Sequence, residues 1–444
     1  MIFSLLSIFI AITWIILGTT YTKLHPFIVL LIAAVLLSIL LGIAPVVAAG
    51  LIMKGFIKII QNIGLLILFG TLIGAALEQS NGTIALAKGI LNSLQKLPLP
   101  YAVSCIGYLV SIPVFCDAAF VILSQLNKTL SAQTKTPLVG LTVALSTGLF
   151  APHVLVPPTP GPLAAAANLN LENLILLIGV GGSIAFILIM VGGWYGNYLI
   201  KKNKYIGPAE NSKKPNTEEA EIVLPNFIKS ILPIIIPIAL MCLGTLLKIS
   251  PIFPGLKYLI ILTQPTASLG VGMLFAFRLL SKHPKKIFDS VAKKGFRQAV
   301  PILIITGMGG ALGSVIQTIP LQDYALEISA FSGLGILIPF IIAALLKTAQ
   351  GSSTVAIITT SSIIFPLLSV LGLDSEMGKV WAIMALGVGS MTVSHANDSY
   401  FWIVSQMSGM DVRTAYRTHT IGTLLQGTVG LVVVFIGYSI WNIL

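Results

Sequence analysis

Apolar runs close to 20 residues long recur along this chain, and short polar segments separate them. The runs Ile2 to Leu17, Phe27 to Val47, Leu174 to Val191, Ile228 to Leu247 and Ile421 to Ile440 are each long enough to cross ~30 Å of hydrocarbon as a helix. Extending the count along the chain predicts about ten full spans and two further apolar segments that polar residues interrupt. Three polar stretches between the runs are basic: Lys201 to Lys229, Ser281 to Arg297 and Asp411 to Arg417. Positive charge between spans marks the cytoplasmic side, so these loops are expected there.

Counting outward from the basic loops divides the chain into residues 1–200, a basic cytoplasmic linker at 201–226, and residues 227–444. Each half reads in the same order: two spans, a short amphipathic segment (about 50–60 and 284–297), a third span (61–78 and 299–318), an interrupted segment, a broken span and a last span. Sequence echoes accompany that order. Lys54-Gly55-Phe56 returns as Lys294-Gly295-Phe296, Gly70-x-x-x-Gly74 as Gly309-x-x-x-Gly313, and His153 and His395 fall in corresponding broken spans. With an odd number of full crossings per half, the halves begin on opposite sides and the repeat is inverted, the architecture of secondary transporters.

Composition narrows the class. The 444 residues are 56% hydrophobic and 9% charged, with mean hydropathy +0.98, outside the range of soluble domains. The net charge of +12 follows from the basic loops, so topology accounts for it and a nucleic-acid partner is not expected. The first apolar run lacks a basic lead-in and a small-residue cleavage site and reads as a retained span. Cys105, Cys116 and Cys242 are odd in number and have apolar neighbours, so they read as small core residues, with no disulfide framework and no metal site. Glu78, ending a span, reads as a solvated interface carboxylate.

Chemistry concentrates in four interrupted places. In Tyr101 to Leu126, Pro113 and Asp117 stand between apolar arms too short to cross separately, which predicts a re-entrant hairpin. An ionised aspartate at membrane depth costs about 2.5–3.5 kcal/mol, which makes Asp117 a functional candidate. In Gly335 to Ile364 the hairpin tip reads Lys347-Thr348-Ala349-Gln350-Gly351-Ser352-Ser353-Thr354, a density of hydroxyls and amides suited to a polyhydroxylated ligand or a stripped ion. Lys347 there is the natural counter-ion for a substrate carboxylate, with snorkelling to the headgroups as the competing account.

The third place is APHVLVPPTPGP (Ala151 to Pro162). Its prolines at 152, 157, 158, 160 and 162 remove amide donors and unwind the helix; Gly161 adds to the break, and exposed carbonyls at this depth require a polar cavity or burial in protein. His153 at its start has a side chain able to titrate near physiological pH. The fourth, SMTVSHANDSYFW (Ser390 to Trp402), places His395, Asn397, Asp398 and Ser399 within five residues. Neighbours on a continuous helix point in different directions, so the cluster predicts a second break. No ligand spacing supports a metal there.

At these motifs the chain resembles the gluconate:proton symporter (gluconate permease) family within the ion transporter superfamily. The resemblance rests on HVLVPPTPGP (His153 to Pro162), ALLKTAQGSSTVA (Ala344 to Ala356) and SHANDSYFW (Ser394 to Trp402). Thr159, Lys347 and Tyr400 depart from its pattern, and Lys347 lacks the planar fork of an arginine. The resemblance implies uptake of gluconate or another small hydroxylated acid, with D-serine carried by some members. It further implies an elevator in which a dimerising scaffold flanks a transport domain holding both hairpins and both broken helices.

The expectation is therefore an all-α polytopic protein of the bacterial inner membrane. It has two inverted-topology repeats, about ten transmembrane helices, two re-entrant hairpins and two broken helices, and it works as a homodimeric, elevator-type symporter without a cofactor. Lys347, Gln350, Ser352, Ser353, Thr354, Asn397, Ser399 and Thr159 are the expected substrate contacts. Asp117, His153, His395 and Asp398 are the expected proton carriers; Pro113, Pro157, Pro158, Pro160, Gly161 and Gly351 shape the hairpin and broken-helix backbone. A monoanion moving with more than one proton is driven inward, since each net charge is worth about 2.3 kcal/mol per 100 mV. Sodium coupling is the alternative within transport. An intramembrane enzyme is disfavoured because HExxH and GxSxG are absent, a channel because no ring of like charges appears, and ATP-driven transport because GxxxxGK[ST] is absent.

Overall fold

The computed structural model describes residues 2–20, 24–202, 224–249, 259–280, 285–319, 335–396 and 398–443, so the expected linker falls mostly outside the described residues. Within them the chain is helical. The first half contains α1 (Ile2–Thr20), α2 (Pro26–Leu40), α3 (Pro45–Gln79), α4 (Gly82–Ser93), α5 (Leu99–Ser111), α6 (Cys116–Thr134), α7 (Leu138–Leu155), α8 (Pro160–Asn168) and α9 (Leu174–Lys201). The second half contains α10 (Phe227–Ile249), α11 (Leu259–Leu262), α12 (Pro265–Arg278), α13 (Lys285–Ile316), α14 (Leu337–Gln350), α15 (Ser353–Ile364), α16 (Glu376–Met391), α17 (Ser399–Ser408), α18 (Val412–Ala415), a π-helical turn at Tyr416–Thr420 and α19 (Ile421–Ile443).

Several expectations change. Each amphipathic segment and the span after it form one helix, the 35-residue α3 and the 32-residue α13, because a lone glycine such as Gly55 lowers helix propensity without ending a helix. α4 was not anticipated. Among the described residues six segments are long and apolar enough to cross a bilayer, namely α3, α7 with α8, α9, α10, α13, and the run from α18 through α19. The expected ten are not reached by single long helices: α2 has 15 residues and α12 has 14. Gly42 in the left-handed region and Pro45 close the run that begins at Pro26, and Pro265 starts α12 afresh at its first turn. Cys116 is buried, but Cys242 is exposed and so is no core residue. Glu78 is paired with Lys294 at 2.9 Å, tying α3 to α13 where a solvated carboxylate was expected.

Small residues let the backbones approach. A Cβ on Gly55 of α3 would strike the carbonyl oxygen of Gly310 in α13, and one on Gly295 of α13 would strike Leu72 of α3. The long helices of the two halves therefore lie antiparallel. Gly70 and Gly74, one turn apart on α3, do something other than pack helix on helix: Gly70 faces the carbonyl of Pro158 and Gly74 that of Pro113. Their missing side chains admit the broken span and the first hairpin tip against α3.

Both interrupted segments are helix pairs with short tips, α5 to α6 through Ile112–Phe115 and α14 to α15 through Gly351 and Ser352. Both broken spans are present as α7 with α8 and α16 with α17. The second arm of each broken span packs against the second arm of the opposite half's hairpin, α8 on α15 and α17 on α6. The α7–α8 span is 94% buried inside the protein, whereas α9, α10 and α19 are 33% buried in their most apolar windows. The broken span α7–α8 thus belongs to the interior, and α9, α10 and α19 to the outer surface.

A Cβ at Gly148 of α7 would lie 2.6 Å from the carbonyl oxygen of Ser104 in α5. Gly148→Val is expected to cost roughly 1–3 kcal/mol by overpacking. Gly50→Ala, where a Cβ meets nothing within 4 Å, is expected to leave stability unchanged or slightly higher. Thermal unfolding of the purified variants in detergent measures both.

Candidate functional site

The first break is narrower than the proline count suggests. Pro152 lies inside α7, which continues to Leu155, and Pro162 lies in the first turn of α8. Helical geometry is lost only at Val156 to Thr159, across a cis bond between Pro157 and Pro158. Pro160 then restarts the helix where no amide donor is needed, and Gly161 lets α8 approach Ile357 of α15. Thr159 is buried and its hydroxyl donates to the carbonyl of Val156.

Beside this break lies a small cleft, lined among others by Thr71, Pro113, Phe115, His153, Pro158 and Thr159. His153 is 7% exposed, and its Nδ1 is buried with no hydrogen-bond partner among the described residues. A buried polar atom without a partner costs on the order of 1–3 kcal/mol. The His153 nitrogen on the cleft wall is therefore able to take a hydrogen bond from a group entering the cleft. Ser353 Oγ, in the first turn of α15, is orphaned in the same way.

The second break is built on charge. α16 ends at Met391, Thr392 is extended and Val393 has φ +56°, a conformation that a β-branched residue adopts only under strain. Asp398 caps α17 by accepting from the Tyr400 amide at 3.0 Å on Oδ1. Its other oxygen accepts from Lys347 Nζ at 2.6 Å and from the Ser394 hydroxyl. Lys347 also donates to the carbonyl of Gly351 at 2.7 Å and lies over the Phe150 ring. That carbonyl is available because Gly351 takes the left-handed conformation that turns the hairpin. The side chains of the pair are 1% and 5% exposed, so Lys347 does not snorkel to a headgroup; its charge is met inside the protein by Asp398.

The hairpins and breaks converge on this pair. Asp117, in the first turn of α6, lies in electrostatic range of Asp398 and Lys347, and so does His153. Pro113 belongs to the tip that α3 receives. His395 Nε2 lies 3.1 Å from the Thr348 carbonyl, tying the second break to the second hairpin. Ser352 caps α15 by accepting from Val355, and Thr354 is half-buried in that helix. Ser399 is exposed and away from the buried pair. Asn397 and the Gln350 side chain lie outside the described residues.

Three participants were not singled out from sequence. Asn168 ends α8 and donates to Ile358, Ser361 and Ser362 of α15. Ser394 bridges to Asp398. His419 is fully buried against Ser394 and Ser146. A signal for His419 was available, a histidine just ahead of the last apolar run, but its neighbours in space come from α7 and the second break. Among the described residues no group of three or more His, Cys, Asp or Glu side chains could hold a metal ion.

A helical interior with two breaks, two hairpin tips and an enclosed ion pair is transporter architecture. The sequence profile of the GntP family permeases matches residues 3–440. The chain belongs to the GntP permease family. It is 32% identical to a permease of Haemophilus influenzae, over 95% of this chain and 89% of that one. It is 26% identical to a gluconate permease of Pseudomonas aeruginosa and 26% identical to a D-serine transporter of Escherichia coli, over 97% of both chains in each case. In fold it is similar to MtrF of Neisseria gonorrhoeae, solved as one of a class of antimetabolite efflux pumps, with TM-score 0.63, 14% identity, and 94% and 96% of the two chains covered. This permease is therefore a multi-pass membrane transporter and not an enzyme.

Lys347→Met in this permease leaves Asp398 buried without its cation, and a stability loss of roughly 3–5 kcal/mol is expected. Lys347→Met combined with Asp398→Leu removes both charges and is expected to recover most of that loss. Thermal unfolding in detergent, read as a double-mutant cycle, checks the coupling.

Proposed function

We propose that this permease takes up gluconate or a similar small hydroxylated acid together with protons. Carriage of small organic acids is supported by relatives that include gluconate permeases and D-serine transporters. Proton coupling rests on the buried Lys347–Asp398 pair. A substrate carboxylate needs Lys347, and Asp398 already holds it. Adding a second anion to an enclosed site that contains one cation is unfavourable unless one carboxyl group becomes neutral. Protonation of Asp398 removes its charge and frees Lys347 for the substrate. Site charge is the same before and after a monoanion and a proton enter together.

In this reading Ser352, Ser353, Thr354, Gln350, Asn397 and Thr159 meet substrate hydroxyls, and the orphaned His153 and Ser353 atoms gain partners. Asp117 and His395 are further proton-carrying candidates near the pair. The antiparallel α3 and α13, and the crossed packing of α8 on α15 and α17 on α6, support an inverted repeat whose interior moves as a transport domain against a scaffold. A homodimer in the bacterial inner membrane with the basic loops cytoplasmic completes the proposal. Sodium coupling remains the alternative because a sodium ion near Asp398 or Asp117 would supply the same neutralisation.

Labelled gluconate uptake into proteoliposomes, in sodium-free buffer with the outside acidified, separates the readings. Accumulation is expected without sodium, and gluconate affinity is expected to rise as pH falls, because acid protonates Asp398 and releases Lys347. Asp398→Asn is expected to bind gluconate with an affinity independent of pH across the neutral range and to lose proton-driven accumulation. Uptake that requires sodium and ignores the pH gradient would sink the proton reading. Competition by sugar acids, hydroxy acids and D-serine ranks the substrates.

A further inference from the structure

His419 is a second buried ionisable group joined to the ion pair, and neither the family motifs nor the role given to Asp398 uses it. It lies in the π-helical turn Tyr416–Thr420 that leads into α19, and π-turns inside helices are frequent at functional sites. The ring is fully buried. Nε2 lies 3.2 Å from Ser394 Oγ and Nδ1 lies 3.1 Å from Ser146 Oγ. Ser394 is itself fixed by its amide, which donates to Thr423, and by its carbonyl, which accepts from Thr420 at 2.6 Å. The Tyr400 ring stands edge-on to the imidazole at 5.5 Å, with the Tyr400 hydroxyl donating to the Ser146 carbonyl.

Hydrogen-bond accounting constrains the protons. A serine hydroxyl has one hydrogen, and that of Ser394 is committed to Asp398. Ser394 can therefore only accept from His419, which requires a proton on Nε2. Ser146 has two uses for its hydrogen: it donates to the Val143 carbonyl at 3.1 Å or to His419 Nδ1. In the first case Nδ1 must donate and His419 is an imidazolium. In the second it is neutral. A single hydroxyl rotation on α7 accommodates both charge states of a ring that is closed to water.

We propose that His419 is a proton-relay residue that exchanges a proton with Asp398 through Ser394. This rests on the proton-coupled reading above. Beginning from the imidazolium, the Nε2 proton moves to Ser394 Oγ as the Ser394 hydrogen moves to Asp398 Oδ2. His419 becomes neutral with its proton on Nδ1, Asp398 becomes a neutral acid, and one positive and one negative charge vanish together. Lys347 then loses its partner and is free for an incoming carboxylate.

The charged groups in range of the ring are Asp398 and Lys347. Tyr400 faces it from α17, with Asp117 and Cys116 of α6 in range of Tyr400. From α9, Tyr195 donates to the Arg417 carbonyl on the same turn. The group α7 presents is Ser146, with His153 about two turns further along. Glu376 and Lys379 of α16 bind each other and the chain near Asn170, close to that helix's start and far from its break.

The test uses the full-length permease in proteoliposomes with labelled gluconate. His419→Gln keeps a hydrogen-bonding group but cannot carry the proton; Ser394→Ala keeps the imidazole and removes the bridge. Both are expected to lose pH-driven accumulation by about tenfold or more, and to lose less of the gluconate exchange measured in the absence of any gradient. Infrared difference spectra are expected to show the protonated Asp398 carbonyl band appearing at a different pH in His419→Gln, where the Ser394–Asp398 hydrogen bond is kept. Should either variant accumulate gluconate with the wild-type pH profile, the relay is wrong. Loss of exchange and accumulation together in both variants, with the carboxyl band of His419→Gln unmoved, also overturns it and leaves His419 a structural bridge. If wild-type protein fails to accumulate gluconate under the pH gradient, the proton-coupled reading fails first and takes the relay with it.

Discussion

An ammonium and a carboxylate held out of water at 2.6 Å oblige the surrounding chain to complete their hydrogen bonding, because desolvation can exceed what their mutual attraction returns. The groups that do so come from distant parts of the sequence. Gly351 turns the second hairpin so that its carbonyl faces Lys347, Ser394 and the Tyr400 amide satisfy Asp398, and Phe150 of the first broken span covers the ammonium. Hairpin, break and neighbouring helix are thereby fixed relative to one another. Changing the charge of one member loosens all three, which makes such a pair a natural point of control.

The two halves divide the work unequally. The first break is opened by prolines and offers a cleft with an orphaned imidazole nitrogen. The second is opened by polar residues, carries Val393 in a strained conformation and holds the enclosed charges. Similar backbone architecture thus presents shape on one side and electrostatics on the other. The first break packs on α3 and the second hairpin on α13, and the close antiparallel contact of these two helices at Gly55 and Gly310 gives the interior a wall.

Burial explains where polar atoms are tolerated. Broken backbone at membrane depth survives only inside protein or beside a polar cavity, and the α7–α8 span is 94% buried while the outer helices are 33% buried. The side chains of α15 and the end of α8 follow the same rule, Asn168 meeting Ser361, Ser362 and the Ile358 carbonyl.

Much of this was legible in one dimension, because a bilayer imposes length and helix-breaking residues act locally. Apolar run lengths located the long helices, and Pro113, the pair Pro157 and Pro158, Gly351 and the cluster at Ser394 to Ser399 located the four interruptions within a few residues. Local sequence could not decide how far each disruption spread: Pro152 stayed inside α7, and no breaker separated the amphipathic segments from α3 and α13. Nor could it reveal pairings. That Lys347 is matched by Asp398, Glu78 by Lys294, and His419 by Ser394 and Ser146 depends on residues tens to hundreds of positions apart meeting across packed helices. Such contacts are set by the competition among all buried polar groups for partners, a property of the assembled interior and not of any segment within it.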